Sequence, residues 1–205
     1  MKHTIYIICV AAMMLLFGTA SLKAAETADG MLRACAAKIN ATPSVSFKLT
    51  MTADNRTSHP TLIVSKDKYR LSSPEMEVWF DGRTMWVYIS STREVTISEP
   101  TAAELAECNP MSLLNGYAAQ YAARVPASTK NMVELVARNK TTALRKAVIE
   151  INGATGFPSR IDATMAGQST VKIRIDSATA GKALPASTFI YDPKAYPATE
   201  TTDLR

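Results

Sequence analysis

The sequence is poor in histidine and cysteine, and it lacks the short motifs of the common enzyme classes. Two histidines and three cysteines occur among 205 residues, and His59 is the one histidine beyond the N-terminal segment. A Ser-His-Asp or Cys-His nucleophile and a His-rich metal site would therefore all depend on His59. No P-loop, GxGxxG, GxSxG or HExxH pattern is present. The sequence gives no support to an enzyme, and we expect no catalytic residue, metal or cofactor.

Charge of one sign is not concentrated in the chain either. The formal net charge is +5, and loss of an N-terminal segment containing Lys2 and Lys23 would leave an excess of three positive charges. This evenly spread balance is too small to indicate a nucleic acid partner. Apolar residues make up 47% of the sequence, which is enough for a core. We expect one domain over residues 26–205, and nothing requires more than a monomer.

Residues 1–25 have the features of a secretory signal peptide that is removed. A short basic start precedes an apolar run at residues 5–17, and small residues follow as possible cleavage sites. The run of 13 residues is shorter than the roughly 20 that span a bilayer. Cys9 lies inside the run and not at the cleavage point, so we expect no lipid anchor. The mature protein is expected to be soluble outside the cytoplasm.

Two cysteines, Cys35 and Cys108, remain after the signal. They are too far apart in the sequence for a CxxC metal or redox pair. An oxidising compartment permits a disulfide between them. Two separate buried thiols are the alternative, and the sequence does not choose between the two.

The spacing of apolar residues predicts one helix near the start of the mature chain and many short strands after it. From Ala28 to Asn40 the apolar residues recur every three or four positions, as on one face of a helix. From Val45 onward apolar residues alternate with polar ones, which is typical of strands covered on one side. The strands predicted between turn residues are 45–52, 61–65, 68–73, 75–80, 83–90, 132–138, 145–151, 157–165 and 169–176.

The dipeptide Asp81-Gly82 predicts a two-residue type I′ hairpin turn, in which Phe80 pairs with Arg83. The two strands then present one face with Val78, Phe80, Met85, Val87 and Ile89 and an opposite face with Trp79, Trp86 and Tyr88. Both faces are apolar. The sequence therefore does not show which of them covers a core or cavity.

A helical segment interrupts the strands after Pro100. Pro110 cannot lie inside an unbroken helix, so we predict two short helices that meet there, the second continuing to Val125. We interpret this segment as a candidate lid. The expected fold class is mostly β (α+β): about nine or ten strands form a large curved antiparallel sheet or unclosed β-barrel, with the N-terminal helix and the central lid helices on its concave side.

Four ordered motifs resemble the periplasmic lipoprotein carrier family LolA. Residues 66–97 contain K-x-K-Y-R-L, then V-W-F-D-G-R-T-M-W-V-Y, then E-V-T-I. The run N-P-M-S-L-L from Asn109 is similar to the family's helical N-P-x-x-L-L segment, and residues 184–191 resemble its terminal strand. The chain departs from the family pattern at Asp67, where the family usually has proline, and at Leu71, where it has an aromatic residue. The resemblance indicates a divergent branch.

The resemblance implies an unclosed β-barrel, capped by helices, with an apolar cavity for lipoprotein acyl chains. Such a protein is a periplasmic chaperone that carries lipoproteins from the inner to the outer membrane. The implied partners are acylated lipoproteins, an inner-membrane lipoprotein-releasing ABC transporter and an outer-membrane acceptor. The alternative function is a non-transporting periplasmic module of the same fold that binds or senses lipids or lipoproteins. A lipid hydrolase would need a nucleophile and a base that the sequence does not offer.

The resemblance and the apolar pattern together assign the residues of the acyl cavity. The expected sheet lining consists of Phe47, Leu49, Met51, Leu62, Val64, Tyr69, Leu71, Val78 and Met85. The expected lid residues are Met111, Leu113 and Leu114. Flexible thioethers suit acyl chains of varied shape, and the methionines available for this are Met51, Met76, Met85, Met111 and Met132. Lys66 and Arg70 are either cations at the strand edge that contact the lid or a lipid ester, or exposed polar-face residues.

Overall fold

A computed structural model describes residues 27–101, 104–105, 110–127, 129–196 and 200–205. The predicted signal peptide, Cys108 and most of the first central helix lie outside these residues. No helix in the described part of the chain has the length and hydropathy of a membrane span.

Helix α1 (Ala28–Ala41) begins and ends where its sequence predicts. Thr27 caps its N-terminus, because the threonine hydroxyl accepts the backbone N–H of Gly30 at 3.1 Å. The helix stops two residues before Pro43, which cannot continue it. Its buried side chains form one stripe, namely Ala28, Met31, Leu32, Cys35 and Ile39. The stripe packs on one face of the sheet, which we call the inner face; the opposite face is the outer face.

Thirteen strands form a single sheet in the described residues. They are β1 (Ser44–Ala53), β2 (Arg56–Ser58), β3 (Thr61–Ser65), β4 (Lys68–Ser72), β5 (Met76–Phe80), β6 (Met85–Ile89), β7 (Glu94–Ser98), β8 (Tyr121–Arg124), β9 (Met132–Ala137), β10 (Leu144–Ile151), β11 (Pro158–Met165), β12 (Thr170–Gly181) and β13 (Glu200–Asp203). The order is β13-β7-β6-β5-β4-β3-β1-β12-β11-β10-β9-β8, with β2 paired to β1 off this path. Because β13 and β8 end this order, the sheet is an unclosed barrel.

The sheet is built from two runs of neighbouring strands that meet at one seam. Strands β3 to β7 pair in chain order, and so do β8 to β12. The seam is the antiparallel β1–β12 pair, which extends from Ser44 opposite Gly181 to Ala53 opposite Val171, with a bulge at Lys48/Leu49. All neighbours are antiparallel except β13 and β7, which are parallel. The predicted mostly-β fold class is confirmed, with more strands than the nine or ten expected.

The inner face carries one continuous apolar cluster, which we call the inner cluster. It joins the stripe of α1 to inward side chains of the sheet and of α2 (Pro110–Gln120). Its sheet members range from Val45, Phe47 and Leu49 on β1 to Ile161 on β11 and Ile173 on β12. The alternation of these strands with outward polar residues follows from the two-residue period of a β-strand.

The connection between β5 and β6 is longer than predicted. Phe80 pairs with Met85, so four residues separate the strands. Asp81 holds this loop, because its Oδ1 accepts the backbone N–H groups of Arg83 at 2.9 Å and Thr84 at 2.8 Å. The predicted two-residue turn is therefore wrong. The predicted faces are confirmed, because two extra residues leave the alternation of side chains unchanged.

The type I′ geometry occurs instead between β1 and β2. Ala53 pairs with Arg56, and the two residues between them, Asp54 and Asn55, have φ of 48° and 61°. Positive φ at both central positions defines this turn, and Asn and Asp tolerate it better than other residues that carry a side chain.

Two further predictions are corrected. Helix α2 ends at Gln120 and not at Val125, because β8 starts at Tyr121 and pairs with β9, which supplies backbone hydrogen bonds. Residues 184–191, which resemble a terminal strand, contain a 3₁₀ helix at Ala186–Phe189. Pro185 precedes that helix in an extended conformation.

Candidate functional site

The structure brings the predicted cavity residues together on the inner face. Six of the nine sheet residues are buried members of the inner cluster: Phe47, Leu49, Leu62, Val64, Tyr69 and Val78. The other three, Met51, Leu71 and Met85, are partly buried and pack against it. Leu114 of α2 joins the same cluster, with 3% of its surface exposed. The side chains of Met111 and Leu113 lie outside the described part.

Aromatic side chains order this cluster at two places. Phe47 and Phe157 meet edge to face with ring centroids 5.9 Å apart. Tyr69 packs on Phe80 at 5.3 Å, and its hydroxyl lies 3.5 Å from the sulfur of Met85. Such pairs contribute about 0.5–1.5 kcal/mol beyond the area they bury. The middle of the inner face is therefore well packed by the protein's own side chains.

An open cavity of about 1030 Å³ continues from the inner cluster at one end of the sheet. It lies where β1 no longer pairs with β3, and where the last three residues of β1 pair with β2 instead. We call it the entrance cavity. Its lining residues are Met51, Ala53, Asp54, Arg56, Thr57, Ser58, Ser73, Glu75, Met76, Ile89 and Ser91.

The entrance cavity has an apolar wall and a polar rim. Met51 and Met76 are half-buried and touch the inner cluster, and Ile89 lies opposite Met76 in the β5–β6 ladder. The rim carries the hydroxyls of Ser58, Ser73 and Ser91 together with three charged residues, Asp54, Arg56 and Glu75. Flexible thioethers adapt to apolar chains of different shapes, and hydroxyls can donate hydrogen bonds to carbonyl oxygens. Together these groups suit a molecule with an apolar tail and a polar end.

The sequence predicted Met51 and Met76 as residues available to a cavity. It did not predict that Ile89 and the polar rim belong to the same site. The hydroxyl residues lie at strand ends that are distant in the sequence, and no spacing joins them. Met132, counted among the methionines available for a cavity, lies on the outer face, because its neighbours Val133 and Leu135 point into the inner cluster. Alternation along β9 was sufficient to place it there.

Helix α2 is fastened to α1 by one side-chain hydrogen bond. The Tyr117 hydroxyl donates to the Asp29 carboxylate in a short contact. Tyr117 is buried and belongs to the inner cluster, whereas Asp29 is exposed. Burial, followed by the bond to Asp29, raises the pKa of Tyr117 to about 12. We call this contact the latch, because α2 covers the inner face beside it.

The two predicted edge cations lie in different parts of the structure. Arg70 is on the outer face, where its guanidinium donates to Glu77 at 2.7 Å and lies 5.5 Å from the ring centre of Trp79. Lys66 is exposed in the β3–β4 turn with a φ of 57°. It lines a groove of about 490 Å³ at the end of β1 opposite the entrance cavity. Among the described residues, neither cation has a hydrogen bond or ion pair to α2, and their predicted contacts with the lid or a lipid ester stay predictions.

His59 belongs to a polar network on the outer face. Its Nδ1 lies 3.2 Å from the Thr50 hydroxyl, which donates to Asp176 at 2.7 Å. The bond from Thr50, followed by Arg174, lowers the pKa of Asp176 below its usual value. Since the hydroxyl proton of Thr50 goes to a carboxylate, His59 does not activate it as a nucleophile. Over the described ranges, no three His, Cys, Asp or Glu side chains group as a metal site.

Cys35 is a free thiol in the structure, buried in the inner cluster. Its burial raises the pKa of the thiol to about 12. The thiolate is the reactive form, so this residue is part of the packing and not a nucleophile.

Comparison with known families gives one match that covers most of the chain. A family model described as "Outer membrane lipoprotein carrier protein LolA" matches residues 19–168. No curated protein matches the chain.

Solved structures align with the chain at low sequence identity. An uncharacterized conserved protein from Thermus thermophilus aligns with a TM-score of 0.55 and 10% identity, covering 84% of this chain and 96% of that one. A LolA superfamily protein from Nitrosomonas europaea aligns at 0.45 and 11% identity, covering 80% and 98%. The MucA/MucB complex of Pseudomonas aeruginosa aligns at 0.49 and 13% identity, covering 82% and 62%. The Thermus likeness shows a shared fold.

Proposed function

The chain belongs to the outer membrane lipoprotein carrier protein LolA family, and on that premise we propose that it is a periplasmic carrier of acylated lipoproteins. The acyl chains enter through the entrance cavity and lie along the inner face under α1 and α2. The observation that carries the proposal is the continuity of the inner cluster with an open cavity whose wall contains Met51, Met76 and Ile89 and whose rim is polar.

The physical need for such a cavity follows from the cost of exposing acyl chains to water. Each buried CH₂ group contributes about 0.8 kcal/mol, so a chain of roughly fifteen such groups gains about 12 kcal/mol on leaving water. A lipoprotein with two or three chains therefore does not leave a membrane unaided at a useful rate. A carrier has to replace the bilayer and also release its load.

The packing of the described residues fits a carrier that opens on loading. The entrance cavity, at about 1030 Å³, is at the upper end of the usual range of ligand pockets. The middle of the inner face, however, is filled by side chains such as Phe47 and Leu62, each almost fully buried. Room for further acyl length comes from movement of α2, which is attached through the latch and through β8, the last strand of the sheet.

The location and partners proposed here follow from family membership and the N-terminal sequence. Residues 1–25 direct export and are removed, and the mature chain, residues 26–205, acts in the periplasm. It receives lipoproteins from an inner-membrane lipoprotein-releasing ABC transporter and passes them to an outer-membrane acceptor. The predicted lining residues, from Phe47 to Met85 on the sheet and Met111, Leu113 and Leu114 on α2, contact the acyl chains in the loaded state.

The test is release of lipoproteins from spheroplasts by the purified mature protein. A carrier produces a soluble complex that contains the acylated protein. The variant Met51→Gln/Met76→Gln places two amides in the entrance cavity, each costing about 1–3 kcal/mol when it faces an acyl chain, and so lowers release at least tenfold. The matched control is Met132→Gln, since Met132 is half-buried on the outer face.

Each outcome of this test has one meaning. Equal release by both variants and the parent shows that the entrance cavity does not hold acyl chains. Capture of free lipid without any acylated protein supports the non-transporting lipid-binding module and contradicts the carrier. Turnover of an ester substrate by the parent protein shows an enzyme and contradicts both.

A further inference from the structure

The chain after β12 runs across the outer face of the first half of the sheet. We call residues 182–196 and 200–203 the outer strap. Phe189, in its 3₁₀ helix, is almost fully buried. Tyr191 and Tyr196 then pack on Trp79, with ring centroids 5.5 and 5.4 Å away, and Tyr196 also packs on Tyr88 at 4.7 Å. The apolar outer face of the β5–β6 hairpin is thus covered by the protein's own chain.

The strap ends as β13, which occupies the free edge of β7. Glu200 N–H donates to the carbonyl of Arg93 at 3.0 Å, and Leu204 N–H donates to that of Ile97 at 2.9 Å. All four side chains of β13 are exposed. The strand is therefore held by a short backbone ladder, whereas the tyrosines before it are held by ring packing.

Without β13, the edge of β7 is an open template for another strand. The backbone groups of Val95 and Ile97 face outward, because those of Thr96 face β6, where Thr96 pairs with Val87. The side chains of Val95 and Ile97 lie on the outer face, next to Tyr88 and Trp86 in the ladder. An edge strand whose backbone N–H and C=O groups are unpaired pairs readily with another chain.

The edge of β7 is self-complementary in an antiparallel arrangement. A two-fold axis at Thr96 places Val95 opposite Ile97 of a second copy and Glu94 opposite Ser98, so no like charges meet in the ladder. The outward N–H and C=O groups of Val95 and Ile97 are then all paired. Strand β8, at the opposite end of the sheet, is less suited to pairing, because Arg124 and Pro126 lie at its end.

We propose that the edge of β7 is a self-association surface for a second copy of this chain, and that β13 occupies it within the same chain and keeps the protein monomeric. The inference is independent of what the entrance cavity binds. Release of β13 exchanges one short intramolecular ladder for an intermolecular one.

The experiment compares two proline substitutions in β13 of the full mature chain. Bonded N–H groups alternate along the strand, from Glu200 to Leu204, so the N–H of Thr202 faces β7 and that of Thr201 faces solvent. Thr202→Pro removes a ladder donor and releases β13, whereas Thr201→Pro keeps the ladder. Sedimentation equilibrium should give twice the monomer mass for Thr202→Pro at high concentration. The parent and Thr201→Pro should give the monomer mass.

A chain that ends at Tyr196 provides the second variant, since it lacks β13 and keeps the packed tyrosines. It should dimerise as Thr202→Pro does. A monomer at every concentration in this variant, with circular dichroism showing the parent fold, overturns the proposal. A series of larger aggregates without a dimer also overturns it, because pairing through β7 closes after two copies.

Charge substitutions identify the interface in the shortened chain. Thr96 meets its own copy at the two-fold axis, so Thr96→Lys and Thr96→Glu should each abolish the dimer through like-charge repulsion. Mixing the two variants should restore it. A dimer that persists in either variant alone shows that the copies meet elsewhere and contradicts the assignment to β7.

Discussion

The latch between α1 and α2 can be tested by removing one oxygen atom with Tyr117→Phe. The ring remains in the inner cluster, and the exposed Asp29 carboxylate regains water, so no buried polar group is left unpaired. A hydrogen bond to a charged group contributes about 1.5–3 kcal/mol when shielded, and exposure of Asp29 places this one near or below the lower limit, at about 1 kcal/mol. Opening of α2 should therefore become about fivefold more frequent.

Hydrogen exchange of the α2 amides in the unloaded protein measures this change. Tyr117→Phe should accelerate exchange at Leu114 to Gln120 about fivefold and leave β10 and β11 unchanged. The double-mutant cycle with Asp29→Ala should give a coupling energy of about 1 kcal/mol. A coupling energy of zero refutes the reasoning, because the two side chains would then not act on each other.

The latch should also depend on pH on the alkaline side. The pKa of Tyr117 is raised from 10.0 to about 12 in the folded protein. The neutral phenol is the form that the fold favours, so its contribution is complete below pH 10 and is lost as the pH rises toward 12. In the parent, α2 amides should exchange at an unchanged opening frequency from pH 6 to pH 9, when the intrinsic exchange rate has been corrected for.

Three further predictions concern stability and reactivity. Glu134 is almost fully buried between Lys146 and Arg124, whose hydrogen bonds lower its pKa. In urea unfolding at pH 7, Glu134→Gln should therefore lower the free energy of unfolding by about 1–2 kcal/mol. The difference between the two proteins should vanish as the pH falls well below 4.5, where Glu134 is protonated. Gly82 has a φ of 102°, so Gly82→Ala should cost about 1–2 kcal/mol, whereas equal stability would contradict the loop geometry. Iodoacetamide at pH 8 should label Cys35 only after unfolding.

The inner face was predictable from sequence because its signal is local. A strand has a side-chain period of two, so Phe47 and Leu49 alternate with polar residues, and their burial follows directly. For the same reason, the two faces of the β5–β6 hairpin were predicted correctly although the length of its turn was not. An error of two residues in loop length preserves parity, whereas an error of one would have reversed every side chain.

The outer face was not predictable, because its cover comes from distant chain. In the sequence, Trp79 and Tyr88 indicate a second apolar face but not what covers it. In the structure, Tyr191 packs on Trp79 and Tyr196 packs on Tyr88. The parallel pairing of β13 with β7 has no sequence signal either, since its residues E-T-T-D are polar throughout. The position of β13 beside β7 depends on the path of the chain before it, which the sequence pattern does not show.

The boundary between α2 and β8 shows where local pattern is ambiguous. Tyr117 and Tyr121 have the spacing of one helix face, which favours a single helix through both. In the structure Tyr121 starts a strand opposite Ala137, because the edge of β9 offers backbone partners that a helix end lacks. Short apolar runs fit either state until their neighbours are known.

The β1–β12 seam has a consequence for how this chain assembles. Each run of strands can form through neighbours in sequence, but the seam joins residues about 120 to 140 positions apart, such as Ser44 and Gly181. Closing such a long loop makes folding slow, so docking of the two halves should be the late event. If the chain is cut between β7 and α2, the two fragments should therefore associate through the β1–β12 ladder, as in fragment complementation of a split protein.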